Sequence, residues 1–350
     1  MTAVSPSLLR QFPLGPLPAR TVNVGIVGLG GVARNAHLPA CIALREAGWP
    51  LRIVAACDSV PERLTAALAP FPECRPVDAP DAIFDDPDID AVLLLTPPTV
   101  SLELTQRALV AGKAVLVEKP VACDAMALSN SIELLGSLSD RAQVAYNRRF
   151  QPLGALARNE LSRMGAVRQV TARLWRAARS RRDFYEDVPV HALDWLGAQF
   201  GPLRFKECSV TPPTQPGGLA VALELKLIGS PEVEVRLDVR PATGQTEETY
   251  FYQAAGGSVR LGYLVHEATR AVAPAELRMQ RPGAPDPVLL FEKNDLSSAD
   301  ANFLRGFVHQ LAAFLRFVAD PSVPSPCTLN DALRALRLSE QLTGAMSSRV

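Results

Sequence analysis

The sequence predicts a two-part α/β protein: a doubly wound parallel sheet in the N-terminal part, then an α+β domain on a mainly antiparallel open sheet. Three observations carry this. From about residue 21 to residue 147, short apolar runs alternate with helical segments, as in a parallel sheet wrapped by helices. The first of those runs passes into a glycine-rich turn that opens a helix. After residue 148, strands of period two follow one another without intervening helices. A length of 350 residues also favours two cores over one.

The elements follow in order. "MTAVSPSLLRQFPLGPLPAR", residues 1–20, has neither a basic leading region nor a sustained apolar run, so it reads as a proline-rich extension, surface-lying or disordered, and not as a secretory signal. "VNVGIVGL" is a strand, "GVARNAHLPACIALREAG" a helix and "LRIVAACD" a second strand, and a helix spans Pro61 to Leu68. "IDAVLLLTPP" is a strand, "SLELTQRALVAGK" a helix, "AVLVEKP" a strand, "DAMALSNSIELLGSL" a helix and "AQVAYN" the last strand of a domain covering 21–147. In the second domain, 148–350, a helix near 153–164 precedes several strands, the clearest being "EVEVRLDVR" at 232–240. Helices near 301–318 and 329–342 close the chain.

Lys plus Arg equals Asp plus Glu at 36 each, so no global field draws nucleic acid or an anionic membrane. No apolar run approaches the roughly 20 residues that span a bilayer. The six cysteines are scattered without a CxxC pair and several lie in apolar stretches. That pattern suits reduced, buried thiols and a cytoplasmic protein, and it offers no metal site.

"GLGGVA" at 28–33 fits G-x-G-x-x-G/A, with Gly28, Gly30 and Ala33 at the small positions. It follows a strand and opens a helix, where the N–H groups around Gly30, Gly31 and Val32 can meet a pyrophosphate. Such a turn also serves plain geometry, but its context makes this a dinucleotide-binding, Rossmann-type domain. Asp58 ends the second strand, where a carboxylate accepts both adenosine ribose hydroxyls and repels a 2′-phosphate. NAD is therefore expected, with NADP second. The competing role for Asp58 is a helix cap ahead of Pro61. Thr96 and Pro97 end one strand and Lys119 the next, both at the carboxyl edge where open α/β sheets bind ligands. An ammonium there can polarise a substrate oxygen. In "EDVPVHALDWLG", Asp187 and His191 are four apart and Asp194 three further on, so a helix from about Pro189 puts His191 and Asp194 on one face. A capped helix with a core histidine is the competing reading. His37, His266 and His309 lack such company and are read as structural.

Together, "GIVGLGGVARNAHLPA", "TPPTVSLELTQRALVAGKAVLVEKPVA", "VAYNRRFQP" and "DVPVHALDWLG", in that order, resemble the Gfo/Idh/MocA oxidoreductases. The resemblance extends over nearly all the chain after the first 20 residues. It implies Lys119 as the active-site lysine with Asp187 and His191 as partners, His191 being the acid/base candidate. It places Glu118 beside the nicotinamide and adds Arg148 to the substrate-binding set. Family members often carry histidine a few residues after T-P-x, where this chain has Ser101. A secondary contact to the cofactor is thereby lost, which leaves the hydride chemistry possible, and Ser101 stays in the expected cofactor-binding set. The implied activity is hydride transfer between NAD and a secondary alcohol or ketone of a sugar, cyclitol or related polyol. NAD-dependent glycoside cleavage on the same fold and a non-catalytic NAD-binding sensor are the rivals.

Two further expectations concern surfaces. "RLWRAARSRRDFY", 173–185, is arginine-rich, and Arg176, Arg179, Arg181 or Arg182 could grip an anionic substrate group if the stretch is not simply a solvated loop. In strand 232–240, Val233, Val235, Leu237 and Val239 share one face and Glu232, Glu234, Arg236, Asp238 and Arg240 the other. The charged face, with Trp175 and Tyr250 or Phe251 as anchors, suggests a homodimer or a tetramer of dimers.

Overall fold

The computed structural model describes residues 3–176, 188–211, 222–229, 232–241, 246–266 and 271–347. The chain divides into two compact units. The first comprises Met1–Asn147 and Gly306–Leu333, the second Arg148–Arg305 and Arg334–Val350. Among the described residues, no helix is long and apolar enough to cross a membrane.

In the first unit six strands lie in the order β3-β2-β1-β4-β5-β6, every pair parallel. They are β1 (Val22–Val27), β2 (Leu51–Cys57), β3 (Arg75–Pro76), β4 (Ala91–Leu94), β5 (Ala114–Val117) and β6 (Ala142–Val144). Strands β4 and β5 are buried at every residue, as continuous apolar runs covered on both faces must be. The covering helices are α2 (Leu38–Glu46), α3 (Pro61–Leu68), α4 (Asp81–Phe84), α5 (Pro98–Val110) and α6 (Ala125–Leu135). The strand order reverses between β1 and β4, the kind of switch point at whose carboxyl ends open α/β sheets bind ligands.

The helix expected at 31–48 begins at Gly31 but is interrupted. Ala33–His37 is a π-helical turn, closed by Leu38 N–H donating to the Ala33 carbonyl, and only then does α2 run. Pro39 supplies the reason: it has no N–H to give the preceding turn, and the backbone widens there.

The residues before β1 form a short helix, α1 (Pro6–Gln11), with Val4 and Leu8 buried. The extension is therefore ordered from Ala3 onward, through an i, i+4 apolar pair, and not a loose tail. Arg316 Nη1 donates to the Leu14 carbonyl at 2.7 Å, which secures it to α10 (Phe307–Ala319). That helix packs on α2 and β1. Sequence reading had given residues 306–333 to the second domain. The return segment also lines the sheet edge, with Val144 N–H bonded to the Cys327 carbonyl at 2.8 Å and Ser325 Oγ to that of Ala142 at 2.7 Å.

In the second unit eight strands lie in the order β14-β13-β12-β11-β7-β10-β9-β8. They are β7 (Val167–Trp175), β8 (Arg204–Thr211), β9 (Ala222–Ile228), β10 (Glu234–Arg240), β11 (Thr246–Ala254), β12 (Gly257–His266), β13 (Ala271–Gln280) and β14 (Val288–Lys293). All neighbours are antiparallel except β7 and β10. The unit's other helices are α7 (Pro152–Ser162), α8 (Pro189–Phe200) and α9 (Ser298–Leu304). The final helix is α11 (Leu329–Ser347). The single helix expected over 301–318 is broken at Gly306, whose φ of 91° is left-handed and ends α9 before α10 begins.

The inner face of this sheet is apolar, with Val170, Val235, Leu237, Tyr250, Tyr252 and Leu261 buried. The outer face is charged, and its charges are paired along it: Arg240 with Asp238, Arg260 and Arg278 with Glu276. Trp175 lies between the guanidinium groups of Arg173 and Arg240 and donates its indole N–H to Asp238. The expected alternation of strand 232–240 holds. Of the two aromatic anchors, Phe251 is exposed on the outer face, whereas Tyr250 points inward because it shares β11's parity with Tyr252.

Candidate functional site

Gly28 leaves β1 with φ 94°, and a Cβ there would come within 2.7 Å of the Leu95 carbonyl oxygen. Only glycine fits between the ends of the neighbouring strands. Its N–H reaches the Cys57 carbonyl at the end of β2. Two residues on, nothing lies within 4 Å of where a Cβ of Gly30 would stand, and Gly31 and Val32 are exposed. The turn thus presents an open backbone cradle at a helix start, the shape and donor set that a pyrophosphate needs. Arg34 is exposed beside it, its Nε 3.4 Å from the Gly30 carbonyl. Sequence reasoning passed over this cation.

Asp58 closes the turn from the β2 side. Its Oδ2 accepts the Leu29 N–H at 2.6 Å and its Oδ1 the Val60 N–H at 2.7 Å. The second bond is a local turn two residues ahead, not a helix cap, since Val60 is the cap residue of α3. Arg63 Nη1 lies 3.4 Å from Oδ1. A carboxylate has about four acceptor sites, so these bonds leave capacity for ribose hydroxyls.

At the end of β4, Ser101 Oγ lies 2.8 Å from Thr96 Oγ1, 2.9 Å from the Thr96 carbonyl and 3.0 Å from that of Pro97. Ser101 is fully buried. Its hydroxyl fastens the Thr96–Pro97 turn from within. Thr96 and Pro97 stay at the carboxyl edge.

At the end of β5, Glu118 is buried. Its Oε1 lies 2.7 Å from His37 Nε2, and its Oε2 accepts the Lys119 N–H at 3.1 Å. Burying a carboxylate is costly unless it is paired, and these two donors pair it. Lys119 is half-buried and precedes a cis peptide bond to Pro120.

The second unit holds the remaining candidates. His191 is half-buried on the first turn of α8, which starts at Pro189 as the sequence suggests. Asp194, one turn on, takes both Arg149 Nε at 2.8 Å and Nη2 at 2.6 Å. This forked pair fixes α8 to the start of the unit. Asp187, Arg179, Arg181 and Arg182 lie outside the described residues.

Arg148 and Arg176, both expected at the substrate, converge on Glu248 of β11. Arg148 donates from Nε and Nη2 at 3.0 and 2.8 Å, and Arg176 from Nη2 at 3.0 Å. Tyr250 Oη adds a bond to the same carboxylate at 3.2 Å. Burial alone would raise the Glu248 carboxyl, but Arg148 and then Arg176 outweigh it and hold it well below the usual carboxylate range. Two guanidiniums on one carboxylate leave a buried excess of positive charge. For Arg176, accordingly, burial, only partly offset by Glu248, lowers the guanidinium below its usual value. Sequence reasoning did not find Glu248, which lies 100 residues from Arg148.

Residues 22–146 match the family model described as an oxidoreductase family with an NAD-binding Rossmann fold, Gfo/Idh/MocA. Over this nucleotide-binding domain the chain is similar to that family. It is 32% identical over 154 residues to inositol 2-dehydrogenase of Rhizobium meliloti, an alignment covering 43% of this chain and 44% of that protein. The chain thus spans less than half the length of the curated relatives it matches. Among solved structures, a dehydrogenase from Chromobacterium violaceum superposes with a TM-score of 0.77 at 19% identity, covering 93% of this chain and 95% of that one. The 3-ketoreductase KijD10 from Actinomadura kijaniata, solved with NADP and TDP-benzene, gives 0.67 at 18%, covering 92% and 96%. At these identities the likeness establishes the two-domain fold.

Proposed function

We propose that the chain is an NAD-dependent dehydrogenase or reductase acting on a secondary alcohol or ketone of a sugar, cyclitol or related polyol. One observation carries this reading: the sheet that presents the open Gly28–Val32 cradle also delivers Lys119 at its carboxyl edge, two strands from the glycine turn. The Gly30, Gly31 and Val32 backbone would hold the pyrophosphate, and Asp58 the adenosine ribose. The bound nicotinamide supplies the hydride acceptor or donor. In the direction of oxidation, His191 takes the hydroxyl proton, while the Lys119 ammonium stabilises the charge that develops on the substrate oxygen. In reduction the same groups act in reverse. Asp187 is assigned beside His191 by sequence resemblance.

A panel of polyols and keto-sugars followed by NADH absorbance tests this, run beside an assay for glycoside cleavage without net NADH. Glycoside cleavage alone would replace the reading by its first rival, and binding of NAD without turnover by the sensor.

The same reading places the protein in the cytoplasm, in keeping with six unbridged cysteines. It also gives the charged outer sheet face, with Trp175 and Phe251, to a homodimer or a tetramer of dimers.

A further inference from the structure

His37 and Glu118 lie beneath the candidate site, and neither has a place in the chemistry above. We infer that they form a positioning pair: together they fix how Lys119 leaves the sheet and tie that position to the helix that follows the glycine turn. The inference rests on the reading of Lys119 as the residue that meets the substrate oxygen.

The geometry is directional. Glu118 is held to β4 by its own N–H, bonded to the Leu94 carbonyl at 2.9 Å. One side-chain oxygen then faces His37 and the other receives the N–H of Lys119 itself. The carboxylate plane thereby sets the peptide from which the Lys119 side chain departs. His37 sets the carboxylate plane in turn, an Nε2–H donating to Oε1. Apolar residues of equal volume would join helix to sheet as firmly, but they would not orient that peptide.

His37 is itself aimed. It closes the π-helical turn Ala33–His37, which the missing N–H of Pro39 accounts for, and the edge of its ring meets Phe307, centroids 5.5 Å apart and planes at 77°. The turn begins two residues after Gly31. A group seated on the cradle therefore bears on the element that carries His37, and through Glu118 on Lys119.

The chain has only five lysines, Lys113, Lys119, Lys206, Lys226 and Lys293, so reductive 13C-methylation of the full-length protein gives a countable NMR spectrum. Lys119→Arg assigns the signal. In His37→Leu and in Glu118→Gln, the Lys119 signal should move while those of Lys206 and Lys226 stay. His37→Gln keeps an N–H for the carboxylate and should restore the wild-type signal. With a productive substrate, the first two variants should lose roughly 10- to 100-fold in kcat, the scale of a small misplacement, with KM within about threefold. Variants that bind NADH normally yet leave the Lys119 signal unmoved would overturn the inference. Full turnover by Lys119→Ala would instead remove the functional reading, and the NMR result would still judge the pair.

Discussion

The Asp58 carboxylate reaches across from the end of β2 to take the Leu29 N–H at 2.6 Å, so the acid that would choose the cofactor also shapes the turn that would hold it. NAD(H) should bind more tightly than NADP(H), because a 2′-phosphate would be brought against this charge, only partly offset by Arg63. Asp58→Ala should narrow or reverse the preference and weaken both cofactors together, since the turn loses its tie. Fluorescence titration of NADH and NADPH checks both points, and equal affinities in the wild-type protein would defeat the assignment.

Lys119→Ala and His191→Ala should each cut turnover by at least about 10²-fold, the scale of a positioned acid/base group, with the affinity for NADH largely kept. Single-turnover measurements separate chemistry from binding. Undiminished rates in both variants would return these residues to a structural role.

Asp194 belongs to the framework of its domain. Asp194→Ala removes the carboxylate that holds the part-buried Arg149 guanidinium and should cost about 1.5–3 kcal/mol of stability. Urea unfolding would show a lower midpoint, whereas Lys119→Ala should leave the midpoint near wild type. Little change for Asp194→Ala would mean that the Arg149 charge finds water.

His309 of α10 should make the protein sensitive to acid. Burial, opposed by a hydrogen bond to the Phe12 backbone and aided by nearby Arg316, lowers its imidazole from 6.5 to about 4. Because the folded value lies below the unfolded one, the neutral ring's contribution is complete above about pH 6.5 and is lost as pH falls toward 4. The full difference is worth about 3 kcal/mol. Thermal melts from pH 7 to pH 4 should fall less steeply for His309→Asn than for the wild type. Parallel curves would show that other groups govern the acid limb.

Much of the first sheet is legible in the sequence, for a physical reason: strands covered on both faces are unbroken apolar runs, and the glycine turn is a local requirement of backbone shape. The pairing of Glu118 with His37 is not legible, because the two lie 81 residues apart and each looks ordinary alone. Pro39 inside a helical pattern was a usable sign that the backbone departs from regular helix there. Likewise Gly306 within an apolar helical stretch signalled the break between α9 and α10, and Val4 with Leu8 signalled a docked extension. The parallel pairing of β7 with β10 has no such sign. Period two reads the same in either direction, and the two strands are about 65 residues apart.

The return of Gly306–Leu333 to the first unit sets an order of events during synthesis. The nucleotide-binding domain cannot be completed when residue 147 emerges from the ribosome, because α10 and the segment that lines β6 are still unmade. At about 5–20 residues per second they arrive on the order of ten seconds or more later. Through that interval the nascent chain exposes the apolar surfaces of α2 and β1 that α10 will cover, and this is when a chaperone would find its binding site. For the same reason no single cut releases the domain intact: a fragment ending at residue 147 or at residue 305 lacks the helix that closes it.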